Sequence, residues 1–190
     1  MEVNEGWLVY SAYTPGEELT GSYRDFFTLA PIYSTKFGEK NFPSSILVLG
    51  VGGGVSSRIL RNAYPEADIT GVEIDKEITD LGLKYMGLKP DTVQLNFTDG
   101  RSFIRACREK YDILVVDVYR QAYIPFHMIT REFFAEARNC VNAGGVLAMN
   151  VAWRTEQNLE LISYTANTLK MVFPSVYIVS VPYRTNTILY

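Results

Sequence analysis

The sequence predicts an α/β fold in which helices cover both faces of a doubly wound, mostly parallel sheet of seven strands. From residue 45 onward, short apolar runs alternate with amphipathic stretches of helical periodicity. These runs are too apolar for half-exposed strands, so we expect parallel strands that are buried on both faces. The chain has 190 residues, 47% of them hydrophobic and 21% charged. This is enough for one domain with a full core, and it excludes a disordered chain.

Residues 1–44 are predicted to form a short N-terminal extension that packs on the core domain, residues 45–190. Residues 7–10 are a strand candidate, and Pro and Gly at 14–17 indicate a turn, so we expect a short hairpin. An aromatic helix follows, and Pro31 should end it because proline lacks a backbone donor. One face of this helix collects Tyr23, Phe26, Phe27 and Ala30.

Strands and helices alternate through most of the core domain. The predicted strands cover residues 46–49, 69–73, 93–95, 113–117, 146–151, 176–181 and 187–190. The predicted helices run roughly over residues 54–63, 76–86, 100–108, 130–139 and 156–172. Asp99 and Thr130 are expected to cap two of these helices. Right-handed crossovers of this kind place a ligand beyond the carboxyl ends of the strands.

Charge and cysteine content exclude several classes of partner. A net charge of −3 provides no positive field for nucleic acid or for an anionic membrane. Cys107 and Cys140 lie in apolar helical patterns without metal-type spacing, so we expect buried thiols, no metal site and a reducing compartment. No apolar run is long enough to span a membrane, and the start lacks the build of a signal peptide. The expected location is the cytoplasm.

A glycine-rich turn, which contains Gly50, Gly52, Gly53 and Gly54, follows the first core strand. A turn without side chains lets a ligand approach the backbone closely, so Gly50, Gly52 and Gly53 are candidate cofactor-binding residues. The alternative is a tight turn that starts the helix and binds nothing. The dinucleotide-binding fingerprint is Gly-x-Gly-x-x-Gly or Ala. Counted from Gly50, its third small residue falls on Val55, which disfavours NAD without excluding it.

Acidic residues follow the next two strands at the same expected edge. Glu73 ends the second strand, where a carboxylate can accept both ribose hydroxyl hydrogens; a solvated carboxylate is the alternative. Asp99, followed by Gly100, can cap the next helix or accept a hydrogen bond from an adenine amino group. We therefore interpret residues 45–190 as a nucleoside-binding domain.

Asp117 ends the fourth strand, so its carboxylate should face the ligand crevice. The loop after it carries Tyr119, Arg120, Tyr123 and His127, which we interpret as a lid on the acceptor side. Asp117, Tyr119 and His127 are candidates for positioning the acceptor or removing its proton, and Arg120 and Tyr123 for binding it. The alternatives are packing under the loop for Tyr123 and a hydrogen-bonded, packed position for His127.

These segments together resemble the spermidine synthase superfamily, within the Rossmann-like class I S-adenosylmethionine-dependent methyltransferase fold. The matching segments are residues 46–54, 71–75, 98–100, 111–117 and 130–134. The resemblance implies that the glycine turn holds the tail of a sulfonium donor, that Glu73 binds ribose, and that Asp99 and Gly100 contact adenine. The implied cofactor is S-adenosylmethionine, its decarboxylated form or methylthioadenosine. The resemblance also implies polyamine biosynthesis and a homodimer.

Two positions depart from the pattern of the superfamily. Gly53 and Arg120 stand where spermidine synthases usually carry aspartates, the second of which is the expected base. Arg120 would repel the ammonium group of a diamine, so an acceptor that carries a carboxylate or a phosphate fits better.

The leading hypothesis is a spermidine-synthase-like transferase that passes a methyl group, in preference to an aminopropyl group, to a small-molecule acceptor. Alignment of donor and nucleophile in a dry cleft would supply much of the acceleration. The alternatives are a nicotinamide-dependent oxidoreductase and a non-catalytic nucleoside-binding or interaction module.

Overall fold

The computed structural model describes residues 11, 13–17, 19–120, 123–152 and 156–190. Its seven-stranded sheet confirms the predicted α/β fold. The strands are β1 (Ser45–Leu49), β2 (Asp68–Glu73), β3 (Gln94–Phe97), β4 (Tyr111–Val116), β5 (Val141–Ala152), β6 (Ile178–Ser180) and β7 (Asn186–Leu189). The helices are α1 (Val55–Ala63), α2 (Lys76–Tyr85), α3 (Gly100–Ala106), α4 (Arg131–Asn139) and α5 (Glu156–Lys170). The strand expected at residues 7–10 lies outside the described residues.

The order of the strands creates a switch point between β1 and β4. The order is β3-β2-β1-β4-β5-β7-β6, in which β1 to β5 run parallel and β7 runs antiparallel to β5 and β6. Leu49 of β1 pairs with Val72 of β2 and with Val116 of β4, so the three strands end at the same level. The turns after β1 and β4 lead to opposite sides of the sheet, which leaves a crevice at its carboxyl edge.

Side chains alternate along the central strands and fill two apolar layers. Leu47 and Leu49 belong to the layer beneath α4. Ile46 and Val48 belong to the opposite layer, which also contains Phe27 from the N-terminal extension. Each such side chain contributes about 1.5–3 kcal/mol when it is fully buried, so these layers fix the level at which the strands end.

The aromatic helix of the extension is a 3-10 helix that spans Tyr23–Tyr33. The prediction that Pro31 ends it is wrong, because Pro31 lies inside it and its carbonyl accepts the Ser34 N–H at 3.1 Å. Proline fixes φ at a value that a 3-10 helix also uses. A 3-10 helix repeats every three residues, so Phe27 and Ala30 share one face, and both are buried.

Several local predictions are confirmed. The side chains of Asp99 and Thr130 cap α3 and α4, and a turn forms over residues 14–17. Cys140 is buried, but Cys107 is half-buried because it is the C-terminal cap of α3, where the chain leaves the helix. Within the described ranges, no helix is long and apolar enough to cross a membrane.

Candidate functional site

A cleft of about 850 Å³ opens at the carboxyl edge of the sheet, where the sequence predicts a ligand. The turns after β1 to β4, the end of β5, the start of β7 and the N-terminal 3-10 helix form its wall. The predicted site residues on this wall are Gly50, Gly52, Glu73, Asp99, Gly100, Asp117, Tyr119, Arg120 and His127. Gly53 and Tyr123 are not on it.

Gly50 brings the turns after β1 and β4 into contact. Its φ is +87°, and a Cβ at this position would lie 2.9 Å from the carbonyl carbon of Asp117 and closer still to the carbonyl oxygen. An L side chain rarely adopts such a φ, and no side chain fits beside that carbonyl. Glycine at position 50 therefore sets the position of Asp117 as well as lining the cleft.

Gly53, a predicted cofactor-binding residue, is not among the residues that line the cleft. Its N–H donates a hydrogen bond to the Ser11 hydroxyl at 3.1 Å. A Cβ at this position would lie 2.7 Å from Met86 Sδ and 2.9 Å from Ser11 Oγ. The packing of α2 and of the N-terminal extension against the turn therefore accounts for this glycine without a ligand.

The carboxylate of Glu73 points at the glycine turn. Its Oε2 accepts the Gly52 N–H at 2.7 Å, and its Oε1 accepts the N–H groups of Ile74 and Asp75 at 2.8 and 3.0 Å. Two carboxylate oxygens offer about four acceptor positions, so one position on Oε2 remains for a ligand. The predicted contact with both ribose hydroxyls would require Glu73 to give up one of these backbone hydrogen bonds.

Ile74 is a wall residue that the sequence reasoning missed. It follows Glu73 directly, lines the cleft and leaves 72% of its surface exposed. An apolar side chain that is so exposed beside a hydrogen-bonded carboxylate offers a surface for a flat ring. The signal in the sequence was an isoleucine between two acidic residues, Glu73 and Asp75, at a strand end.

Asp99 has the capping role that was one of its two alternatives. Its Oδ1 accepts the Ser102 N–H at 2.8 Å and the Ser102 hydroxyl at 3.0 Å, while Oδ2 lies 3.9 Å from His127 Nε2. The His127 side chain is 39% exposed, and its ring contacts Phe126 edge-on. His127 therefore lies near the turn after β3, and within the described residues Asp99 Oδ2 accepts no hydrogen bond.

Asp117 is the centre of a partly buried hydrogen-bond network on the cleft wall. Its Oδ1 accepts the Asn150 amide at 2.9 Å, and the Tyr23 hydroxyl donates to its two oxygens at 3.2 and 3.1 Å. Burial raises the pKa of Asp117, although the charge of Arg24 and the two donors act in the opposite direction. Burial and the nearby Asp117 charge raise the pKa of Tyr23 well above its ordinary value, so the phenol keeps its proton.

Tyr23 and Asn150 are functional-site residues that the sequence reasoning missed. Tyr23 comes from the N-terminal 3-10 helix, 94 residues before Asp117, and Asn150 comes from β5. Asn150 also accepts a hydrogen bond from the Asn186 amide at 2.9 Å. A buried polar residue within the apolar run of β5 was the available signal.

The Tyr119 hydroxyl ties the loop after β4 to the end of β5. It donates to the Asn150 carbonyl at 3.2 Å and accepts the Ala152 N–H at 2.7 Å. Burial raises the pKa of Tyr119, so this phenol stays protonated near neutral pH. Tyr119 thus positions the loop beside Asp117, and its hydroxyl is already engaged on both sides.

Arg120 and Tyr123 exchange backbone hydrogen bonds at 2.9 and 3.3 Å. Arg120 is exposed and lines the cleft, as expected of a substrate-binding residue. Tyr123, a predicted acceptor-binding residue, is 52% exposed and is not among the residues that line the cleft. In the part of the chain that the structure describes, no group of three His, Cys, Asp or Glu side chains could hold a metal ion.

Comparisons with known proteins agree with this architecture. A family model described as spermine/spermidine synthase domain matches residues 31–190. A curated relative from Bifidobacterium longum (strain NCC 2705), named probable polyamine aminopropyl transferase, is 35% identical over 165 residues. The match covers 87% of this chain but 35% of that protein, so the chain spans about a third of its length.

Two solved structures share the fold. A probable spermidine synthase from Corynebacterium glutamicum ATCC 13032 aligns with a TM-score of 0.74 and 22% identity over 87% of this chain and 61% of that chain. Human methyltransferase-like protein 13 in complex with SAH aligns with a TM-score of 0.71 and 23% identity over 87% of this chain and 77% of that chain. The same sheet therefore occurs in proteins named for two different transfers.

Proposed function

The chain belongs to the spermine/spermidine synthase domain family, and on that premise we propose that it transfers an alkyl group from an S-adenosyl sulfonium donor to a small-molecule acceptor. The observation that carries this proposal is one cleft in which the carboxylate of Glu73 and the half-buried carboxylate of Asp117 adjoin the same glycine turn. Donor and acceptor would then meet at the switch point of the sheet.

The residues on the β2 and β3 side fit an adenosyl group. Glu73 keeps one acceptor position on Oε2 for a ribose hydroxyl, and the exposed Ile74 offers an apolar surface to the base. Asp99 Oδ2 can accept a hydrogen bond from an adenine amino group while Oδ1 caps α3. S-Adenosylmethionine, its decarboxylated form and methylthioadenosine all carry these groups.

Asp117 would hold the acceptor and take its proton. In the transfer, the lone pair of the acceptor attacks the carbon next to sulfur, the new bond forms as the carbon–sulfur bond breaks, and the electron pair stays on a neutral thioether. A protonated amine must lose a proton before it attacks, and a carboxylate with a raised pKa accepts one more readily than an ordinary aspartate. Tyr23 and Asn150 hold that carboxylate in place, which supports catalysis by placement.

We propose aminopropyl as the transferred group, because the Bifidobacterium relative is named for that transfer and is 35% identical. This choice reverses the preference for methyl that Gly53 and Arg120 suggested. Methyl transfer is the second candidate, because both positions lack the aspartates that the family resemblance implies. The nature of the product, measured by mass, separates the two.

Thermal unfolding with and without ligand tests donor binding. At about one hundred times its dissociation constant, a ligand of the native state adds about 2.7 kcal/mol, or roughly 5–10 °C for a domain of this size. We expect such a shift with S-adenosylmethionine or its decarboxylated form and none with NAD. Glu73→Gln should lose the shift, because an amide nitrogen would face the Gly52 N–H. Glu77→Gln, an exposed change on α2, is the matched control.

Turnover separates the proposed enzyme from a binding module. Wild-type protein that is incubated with donor and a mixture of amines should release the thioether nucleoside, and Asp117→Asn should not. A shift with NAD alone, or the absence of a shift with every adenosyl sulfur compound, would overturn the proposal.

A further inference from the structure

The charged side chains on the described cleft wall divide into two groups on opposite sides of β1. The group on the β2 and β3 side consists of Glu73, Asp75 and Asp99. The group around the end of β4 consists of Arg24, Asp117 and Arg120. Under the proposed function the first group faces the nucleoside, so the second group is the one that the acceptor meets.

The acceptor side, as far as it is described, offers one carboxylate and two guanidinium groups. Around Asp117 the polar neighbours are donors, namely the Tyr23 hydroxyl and the Asn150 amide. The Asn150 oxygen is itself taken by the Asn186 amide. A diamine carries two ammonium groups; Asp117 can pair with one of them, and the other would meet the exposed guanidinium group of Arg120.

Arg120 is available for an anion. Within the described residues its side chain makes no hydrogen bond and no ion pair, and it is exposed on the cleft wall. Its backbone is held by the two hydrogen bonds to Tyr123, so the base of the side chain is fixed while the guanidinium group can reach a ligand. A guanidinium group presents five donors in a fork that matches a carboxylate or a phosphate.

We propose that the acceptor is an amine that also carries an acidic group, so that the amine lies at Asp117 and the carboxylate or phosphate lies at Arg120. This inference rests on the proposed function and narrows its substrate class. It assigns Arg120 as the residue that sets specificity against diamines.

Three acceptors that differ at one end test this assignment. They are 1,4-diaminobutane, 4-aminobutanoate and 3-aminopropylphosphonate, each supplied with S-adenosylmethionine and with its decarboxylated form. Product mass and kcat/KM are measured for each pair. We expect kcat/KM for at least one of the two acidic amines to exceed that for the diamine by about tenfold or more. The two acidic amines distinguish a carboxylate ligand from a phosphate ligand.

The variant Arg120→Asp tests whether Arg120 causes the preference for acidic amines, and Arg131→Asp is its control. Both substitutions make the same change of charge at an exposed arginine, but Arg131 is at the start of α4 and does not line the cleft. Arg120→Asp should lower kcat/KM for the preferred acidic amine by about tenfold or more and raise kcat/KM for the diamine. Arg131→Asp should behave as the wild type.

The possible failures are distinguishable. Three results would overturn the acceptor assignment: faster transfer to the diamine in the wild type, equal effects of the two substitutions, or no product from either acidic amine. In each case, a thermal shift with an adenosyl donor would still support the proposed function. If no adenosyl compound shifts unfolding, the proposed function fails, and the acceptor assignment fails with it.

Discussion

Replacing Gly50 with alanine should destabilise the protein more than the same change at Gly16, because Gly50 alone of the two lies against another backbone. The φ angle is +87° at Gly50 and +86° at Gly16. Each alanine variant therefore carries the same cost of a left-handed conformation, about 1–2 kcal/mol. A Cβ on Gly16 meets nothing within 4 Å, whereas a Cβ on Gly50 overlaps the carbonyl group of Asp117. The overlap adds about 1–3 kcal/mol, the usual cost of overpacking.

Denaturant unfolding of the two variants measures this difference, and the transfer assay measures its consequence at the site. Relief of the overlap must move the backbone of Asp117, and a displacement near 1 Å can cost about 100-fold in rate. We therefore expect Gly50→Ala to lose about 2–5 kcal/mol and most of its activity, and Gly16→Ala to lose about 1–2 kcal/mol and retain its rate. Equal losses of stability, or full activity in Gly50→Ala, would refute this reasoning.

Three further substitutions probe single contacts. Asp117→Asn should abolish transfer but raise the free energy of unfolding. Burial raises the pKa of Asp117, which means that the fold disfavours its ionised form, so the gain in stability should grow as pH rises. Asp112→Asn should cost about 1.5–3 kcal/mol at pH 7 because the carboxylate accepts the Ser44 N–H and hydroxyl, both at 2.9 Å. Arg101→Met should cost about 1 kcal/mol and lower kcat/KM, because Arg101 Nη1 donates to the His127 carbonyl at 2.9 Å.

The sign of the pH dependence differs between the two aspartates. Burial alone would raise the pKa of Asp112, but hydrogen bonds from Ser44 and Asn142 and the charge of Lys36 bring it below its ordinary value. Its contribution to stability is therefore present above the ordinary pKa and lost as pH falls through the lowered one, whereas that of Asp117 is lost as pH rises. A gain for Asp117→Asn that does not grow with pH, or a loss for Asp112→Asn that persists in acid, would contradict these assignments.

Matched variants control for charge and side-chain size. Asp91→Asn removes an exposed carboxylate and is the control for the loss of one negative charge. Arg105→Met breaks a more exposed ion pair with Glu136, the same partner that Arg101 binds, but leaves the His127 carbonyl bonded. If Arg105→Met lowers kcat/KM as much as Arg101→Met does, the contact with His127 is not the reason for the loss.

Hydrophobic patterning was sufficient to predict the order of the elements, because each central strand is a short run buried on both faces. It was weaker at the edges, where burial does not mark the ends. The strand expected over residues 176–181 is Ile178–Ser180, and β5 begins at Val141, five positions before the apolar run on which its prediction rested. That early segment pairs with β4 through an irregular register, which periodicity does not reveal.

The proposed nucleoside side of the cleft was more predictable than the proposed acceptor side, because its residues directly follow strands that are adjacent in the sheet. The positions of Glu73 and Asp99 could be predicted from two facts alone, namely that each lies at or after a strand end and that the sheet is parallel. The roles of Tyr23 and Asn150 became visible only in the tertiary structure. Their partner Asp117 lies far from both along the chain, and a hydrogen bond to a carboxylate produces no periodic pattern in the sequence. Gly53 shows the converse, since a glycine in a ligand-binding turn can serve packing alone.

The 3-10 helix of the N-terminal extension contributes to the proposed acceptor side of the cleft. Phe27 anchors that helix in the core, and Tyr23 contacts the Phe27 ring edge-on at 6.1 Å while its hydroxyl reaches Asp117. The packing of an aromatic anchor thus fixes the donor that holds the carboxylate. The acceptor side therefore depends on an element outside the strand–helix alternation, whereas the nucleoside side is built almost entirely by the alternation itself. Changes to the extension would alter acceptor chemistry without altering the fold that holds the nucleoside.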